Sequence, residues 1–258
     1  MSHRADSASQ PMIDRIVLAK DAAAAARAAA VHIAEHLRRA VAERGEASWV
    51  LAGGSTPLPL YRSIAAEESV PWRQVTLWFG DERFVPPDDP HSNYRSAREA
   101  LLGGLPERPV AVHPMVLPKE AQSPDGAFSV QRYEDLLRRW NRPFDVTLLG
   151  LGADGHTASL FPGALPPEDH HLVAQAEAPA APRARITLTL EALRRSRGIV
   201  FLVTGEGKAP ALRRVLAARP EAPDCPPAAR VWPASGPMSG SVSGVRRWFV
   251  DLPALVGA

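Results

Sequence analysis

Short unbroken apolar runs alternate along the chain with longer stretches in which apolar residues recur every three or four positions. The first run, residues 15–19, predicts a strand. Residues 23–44 predict an amphipathic helix with Ile33, Leu37 and Val41 on one face and Gly45 as its stop. Residues 48–52 predict a second strand ending in Gly53-Gly54-Ser55-Thr56-Pro57. Pro57 suits the first turn of the next helix, which carries Leu60, Tyr61 and Ile64. The pattern then repeats. Residues 75–79 read as a buried strand followed by a charged loop, and Ser92-Asn93-Tyr94 opens a helix through Leu102. A helix at 129–140 precedes a strand at 146–149. Further on come a strand at 186–190, a short Arg-rich helix, a strand at 199–203 and a helix at 210–218. Residues 219–244, dense in Pro, Gly and Ser, predict ordered loop or a mobile flap, and 248–250 add a last strand. Strands alternating with helices predict an α/β fold, a mostly parallel sheet with helices on both faces. No linker divides it, so residues 12–258 read as a single α/β domain behind a flexible tail, 1–11.

Composition narrows the function classes. With 258 residues, 45% of them hydrophobic and 22% charged, the chain can bury a sizeable core. Thirty Lys and Arg against 28 Asp and Glu leave a formal charge of +2, so nothing favours a nucleic-acid partner. The single cysteine, Cys225, has no disulfide partner and no companion for a zinc site, which fits a reducing compartment; cytoplasm is the expectation. The longest apolar stretch, 22–34, is mostly alanine and carries Arg27 and His32. It fits neither a signal peptide nor a membrane span.

In parallel sheets ligands bind outside the carboxyl ends of the strands, so the residues after each apolar run are the candidates. Gly53 to Pro57 lets backbone approach a ligand, while the following helix directs free N–H groups and its positive dipole end at it, an arrangement that favours phosphate. The alternative is an ordinary Ser or Thr helix cap. Gly80-Asp81-Glu82-Arg83-Phe84-Val85-Pro86 sets three charges at a strand end, where each needs water or a partner; the alternative is a solvated turn. The stretch from Gly150 to Pro162 packs Gly150, Gly152, Gly155, Asp154 and His156 together, and an imidazole there is a natural proton acceptor. Gly205-Glu206-Gly207-Lys208 carries a lysine suited to a phosphate, and Arg185 could be a second clamp, although either could be a surface cation.

Several motif matches fail on their surroundings. Ser55 is no hydrolase nucleophile, because Pro57 stands where the elbow needs Gly. Gly150, Gly152 and Gly155 match a dinucleotide fingerprint, yet Pro162 interrupts the helix that should follow. Gly205 to Lys208 is too short for an NTPase phosphate loop, and Ala209 replaces the magnesium-binding hydroxyl. His32 and His36 match a zinc-protease string but share a helix face with Arg39 and Glu43, opposite the apolar stripe, and read as a solvated face.

Taken together, these loops resemble the 6-phosphogluconolactonases, within the wider group that includes glucosamine-6-phosphate deaminase. The resemblance runs from Gly53-Gly54-Ser55-Thr56-Pro57 through Asp81 to Pro86, Ser92-Asn93-Tyr94, Gly152 to Pro162, Arg185-Ile186-Thr187-Leu188-Thr189 and Gly207-Lys208, with Trp248-Phe249-Val250-Asp251 similar to the terminal strand. It implies a Rossmann-like sheet of the sugar-phosphate isomerase/lactonase type. The implied reaction is hydrolysis of 6-phosphoglucono-1,5-lactone to 6-phosphogluconate without metal or cofactor, in the pentose phosphate pathway. Carried onto this sequence, His156 is the general base and Asp154 its support, with the choice of proton acceptor between the two left open. Gly54, Ser55, Thr56, Arg185 and Lys208 hold the phosphate, and Asp81, Arg83 and Asn93 contact the sugar or neighbouring loops. A deaminase or isomerase of the group carries Phe-Asn-Glu-Pro where this chain has Ser159-Leu160-Phe161-Pro162, so the carboxylate that assists ring opening is missing. A non-catalytic sugar-phosphate sensor would keep Arg185 and Lys208 but have no need of His156.

Overall fold

The structure, a computed structural model, describes residues 13–123, 125–233 and 245–256. The tail expected at 1–11 lies outside the described residues, as does the second part of the Pro-rich stretch.

Three five-residue runs, β2 (Ala47–Leu51), β3 (Val75–Phe79) and β9 (Ile199–Val203), are buried at every position. Such strands need cover on both faces, and a parallel sheet supplies it. They join β1 (Ile13–Ala19), β5 (Ala111–Val112), β6 (Val146–Leu149) and β10 (Val245–Asp251) in a seven-stranded sheet of order β1-β10-β9-β6-β2-β3-β5. All its pairings are parallel. After β2 the chain builds outward through β3 and β5; it then returns to β6 on the other side of β2 and continues through β9. The order therefore reverses between β2 and β6, and the loops leaving those two strands diverge there and open a crevice.

Helix α1 (Ala22–Arg44) links β1 to β2. Asp21 caps it by accepting a hydrogen bond from the Ala24 N–H at 2.7 Å, and Gly45 ends it in the left-handed region at φ 79°. Its buried face holds Ala25, Ala26, Ala29, Ala30, Ile33, Ala34, Leu37 and Ala40, a band much wider than the predicted stripe. Across this band the helix packs against β10 and β9. His32 and His36, expected on a solvated face, are half-buried against these strands as a result. The remaining helices are α2 (Leu58–Ala65), α3 (Asn93–Ala100), α4 (Ala127–Trp140), α5 (Leu190–Arg194), α6 (Ala209–Ala217), α7 (Pro227–Arg230) and α8 (Leu252–Val256). None of the described helices is long and apolar enough to cross a membrane.

A second, antiparallel sheet of order β4-β8-β7 joins β4 (Asp81–Arg83), β8 (Ala184–Leu188) and β7 (Val173–Glu177). The strand expected at 186–190 is β8, and it belongs here. Thr189 has left the strand and caps α5, its hydroxyl accepting from the Ala192 N–H. The charged loop after β3 is itself strand: Glu82 is buried, not in a solvated turn. Besides β4, two strands escaped the sequence pattern. β5 has two residues, too few to show a period, and β7 alternates correctly but with Ala, Gln and Glu at low-propensity positions. The described part of the Pro-rich stretch is ordered, with Pro227, Ala228 and Ala229 buried and the Ala228 N–H donating to the Gly155 carbonyl.

Candidate active site

The crevice between β2 and β6 is a cavity of about 400 Å³. Nine of the ten residues singled out from the sequence line it: Gly54, Ser55, Thr56, Asp81, Arg83, Asn93, His156, Arg185 and Lys208. The tenth, Asp154, sits behind His156. Residues as far apart in sequence as Gly54 and Lys208 thus meet because their strands lie side by side.

The loop after β2 turns through Gly54 at φ 82°, where other residues are strained, and enters α2 at Pro57. No side chain caps α2, so Ser55 and Thr56 keep their hydroxyls for the cavity. The Gly54 N–H points at Asn93 Oδ1, 3.4 Å away. Gly53 has a separate constraint: a Cβ there would lie 2.1 Å from Asn93 Nδ2. Asn93 knits this loop to the next, its amide donating to the Asp81 carbonyl at 2.9 Å and to the Asp81 carboxylate at 3.2 Å. The other Asp81 oxygen accepts from Ser159 Oγ at 2.7 Å. Asp81 and Asn93 therefore hold three strand-end loops together.

Glu82 faces away from the cavity and fixes α3. Its carboxylate accepts from the backbone N–H groups of Arg83, Asn93 and Tyr94 and from Ser92 Oγ. Burial raises its pKa to about 7, against the pull of those N–H donors. Arg83 and Arg185 are register partners on β4 and β8, two guanidiniums set side by side at the cavity wall. Like charges opposed across a ladder repel, and each has a buried Nε with no partner among the described residues. Burial, with Arg83 adding to it, depresses the pKa of Arg185. Half-buried Lys208 enters the same space from the turn after β9. This wall suits a bound anion.

His156 lines the same cavity; its Nδ1 and Asp154 Oδ1 are 2.6 Å apart, and the same oxygen accepts from the His156 backbone N–H at 3.0 Å. Burial works against ionisation of Asp154, but these contacts with His156 outweigh it and hold the carboxyl below its ordinary range. An ionised Asp154 requires Nδ1 to carry the proton, which leaves the Nε2 lone pair free. Phe161 backs the ring, 4.9 Å between centroids. Gly152 makes room for the pair, since a Cβ there would lie 2.1 Å from His156 Nδ1 and 2.6 Å from Asp154 Oδ1. Beneath, Arg214 donates to the Asp154 carbonyl and Pro226 packs against Gly155.

Sequence reasoning passed over Ser159, Glu82, Gly53 and Gly152 as individual contributors. Glycine at 53 and 152, each beside the loop's polar residues, was the available signal. Among the described residues no group of three or more His, Cys, Asp or Glu side chains could hold a metal ion.

The profile of the family described as glucosamine-6-phosphate isomerases/6-phosphogluconolactonase matches residues 20–239, which span every loop of this cavity. The chain belongs to that family. A 6-phosphogluconolactonase of Synechocystis is 39% identical to it over 203 residues, 75% of this chain and 80% of that protein. Among solved structures, a 6-phosphogluconolactonase from Thermotoga maritima superposes with a TM-score of 0.76 at 30% identity, covering 93% of this chain and all of that one. A monomeric glucosamine-6-phosphate deaminase shares the fold, with a TM-score of 0.73 at 22% identity. The family thus spans two chemistries on one scaffold, and the residues of the cavity must separate them.

Proposed function

We propose that the chain hydrolyses 6-phospho-D-glucono-1,5-lactone to 6-phospho-D-gluconate, the lactonase step of the oxidative pentose phosphate pathway. The observation that carries this reading is one cavity lined by an Asp154-supported imidazole together with Arg185 and Lys208. A lactone carbonyl is already electrophilic, so the protein needs to hold the phosphate, place the carbonyl and move protons.

Arg185, Lys208 and the hydroxyls of Ser55 and Thr56 bind the phosphate, with the positive dipole end of α2 adding to the field; Pro57 and Pro59 carry no N–H, and the Leu58 N–H is taken by the Ser55 carbonyl. The Gly54 amide is directed at Asn93 and serves the loop's shape first. Arg83 neutralises charge beside Arg185, while Asp81 and Asn93 position the loops. His156 Nε2 takes a proton from a water as its oxygen attacks the carbonyl carbon. Asp154 holds the ring in the required tautomer and stabilises the imidazolium. The tetrahedral intermediate collapses with cleavage of the bond to the ring oxygen, which receives the proton from His156. The new carboxylic acid then ionises, so each turnover releases one proton.

Asp154 supports rather than accepts, because its carboxyl is held ionised and lies behind the ring, outside the cavity lining. The sequence Ser159-Leu160-Phe161-Pro162 places no carboxylate at the position where the deaminase pattern has one, which favours a closed-ring ester substrate over an amine. Retention of His156 disfavours a sensor. The reading includes a cytoplasmic location, consistent with a lone unpaired cysteine.

The test is acid release from freshly prepared 6-phosphogluconolactone in weak buffer with a chelator present. The purified protein should exceed spontaneous hydrolysis by orders of magnitude, and His156→Ala should lower kcat by about 10²- to 10⁴-fold. Wild-type protein that gives no acceleration overturns the assignment.

A further inference from the structure

At the opposite end of the sheet, where β9 and β10 begin, lies a second cavity of about 340 Å³. Nothing in the lactonase reaction uses it. Its charged and titratable lining comes from every element packed around it: Arg15 on β1, Arg247 on β10, Arg197 before β9, and His32, Glu35, His36 and Arg39 on α1. Four guanidiniums and two imidazoles thus face one carboxylate.

Two features mark this as more than a solvated basic surface. Arg15 and Arg247 are register partners on adjacent strands, so their side chains leave the same face of the sheet side by side. Neither lies within ion-pair distance of a carboxylate among the described residues, and like charges so opposed repel. The anion-facing wall of the active site uses the same device in Arg83 and Arg185. The second feature is the pair of half-buried imidazoles. Arg247 donates to His32 Nδ1 at 3.0 Å, which requires a neutral His32, and His36 Nδ1 donates to the His32 carbonyl at 3.0 Å. His36 Nε2 is left over Gly198 at the cavity floor, where even a Cβ would stand 3.9 Å from it.

We infer that this cavity is a second anion site, shaped for a phosphate group, free or carried by a small organic molecule, held between Arg15, Arg247, Arg39 and His36. A dianion there relieves the Arg15–Arg247 repulsion. It also reverses the local cost of a charged imidazole. Burial, neighbouring His36 and the arginines Arg247 and Arg39 lower the pKa of His32 to about 3, and burial chiefly lowers that of His36. A bound anion favours protonation of His36 at Nε2, whereas His32, its Nδ1 accepting from Arg247, stays neutral; the nearby carboxylates are Glu35, Glu43, the partner of Arg39, and Asp145, the partner of Arg197 and Arg44. Anion affinity should therefore rise as pH falls.

The experiment is an amide NMR titration of the full chain with inorganic phosphate, then with glycerol 3-phosphate and adenosine monophosphate. Amides of residues 198–200 should follow one saturation curve and those of Ser55 and Thr56 another. Arg247→Gln should weaken the first at least tenfold and leave the second unchanged, whereas Lys208→Ala should do the reverse. Arg15→Gln guards against a folding defect. It should raise the melting temperature of the phosphate-free protein at low salt while abolishing the first curve. Sulfate, a dianion throughout, should bind residues 198–200 several-fold more tightly at pH 6 than at pH 7.5. Tighter binding of the organic phosphates than of phosphate assigns the site to an esterified ligand, and equal binding to the free anion. Absence of a separate curve at residues 198–200, or one there that is unaffected by both Arg247→Gln and Arg15→Gln, overturns the inference. Lactonase activity is not read here, so this result stands apart from the proposed function.

Discussion

Substituting Gly152 by alanine isolates the geometry of the imidazole from its chemistry. Gly152 is buried, and its backbone lies in a region that any residue adopts, so the substitution brings no backbone strain. Its added Cβ would stand 2.1 Å from His156 Nδ1, 2.3 Å from Cε1 and 2.6 Å from Asp154 Oδ1. Ordinary contact begins near 3.4 Å, so the ring must retreat by about 1.3 Å, and its hydrogen bond to Asp154 cannot be kept at 2.6 Å. A displacement of roughly 1 Å at a reacting group costs about 10²-fold in rate, or close to 3 kcal/mol of transition-state stabilisation. The phosphate wall, built on β4, β8 and the turn after β9, is untouched. In the proton-release assay, kcat should therefore fall about 100-fold while competitive inhibition by 6-phosphogluconate changes less than a few-fold. Gly207→Ala, whose Cβ meets nothing within 4 Å, is the matched control and should retain full activity. Wild-type kcat in Gly152→Ala, with the protein folded, would refute the role given to His156.

The phosphate clamp predicts a different pattern: Lys208→Ala should raise KM by one to two powers of ten with kcat within a few-fold, the loss expected for one charged hydrogen bond, and steady-state kinetics will separate the two. Asp154→Asn presents an amide that no longer fixes the Nδ1 proton, so kcat should drop at least 10²-fold with little change in the binding of 6-phosphogluconate; equal losses in both would contradict the supporting role. Glu82 predicts a pH effect on stability. Its folded pKa, raised to about 7, lies above the unfolded value of 4.5, so between these limits the folded state holds a proton that the unfolded state has lost. Stability from this group therefore falls as pH rises from about 4.5 to 7, by on the order of 3 kcal/mol at full extent. Denaturant titrations at pH 5 and 8 should show a steeper loss in wild type than in Glu82→Gln; parallel losses would place the Glu82 carboxyl at its ordinary pKa.

Much of this protein is legible in its one-dimensional pattern, for a physical reason. Strands buried on both faces must be continuous apolar runs, so β2, β3, β6 and β9 stand out, and glycine-rich turns at their ends mark where a ligand can approach backbone. That local chemistry named most of the residues around the cavity, from the Gly53 to Pro57 turn to Lys208, while Asn93 came from the family resemblance. Pattern could not rank strands within sheets. β4 and β8 pair antiparallel away from the main sheet, with Gly80 donating to Leu51 of β2 and accepting from Leu188 of β8 at the junction, and only that pairing sets Arg83 beside Arg185. Nor does spacing reveal a collision in space: Gly53 and Gly152 are required by Asn93 and His156, the first of them forty residues away in sequence. The second cavity shows the limit most clearly. Periodicity put His32 and His36 on the far side of a narrow stripe, but the buried band of α1 is widened by small alanines, and β10 and the residue before β9 meet both histidines. Apolar order along the chain chose the fold and its reactive turns, while side-chain volume and strand neighbourhood, properties of three dimensions, decided which charges face one another.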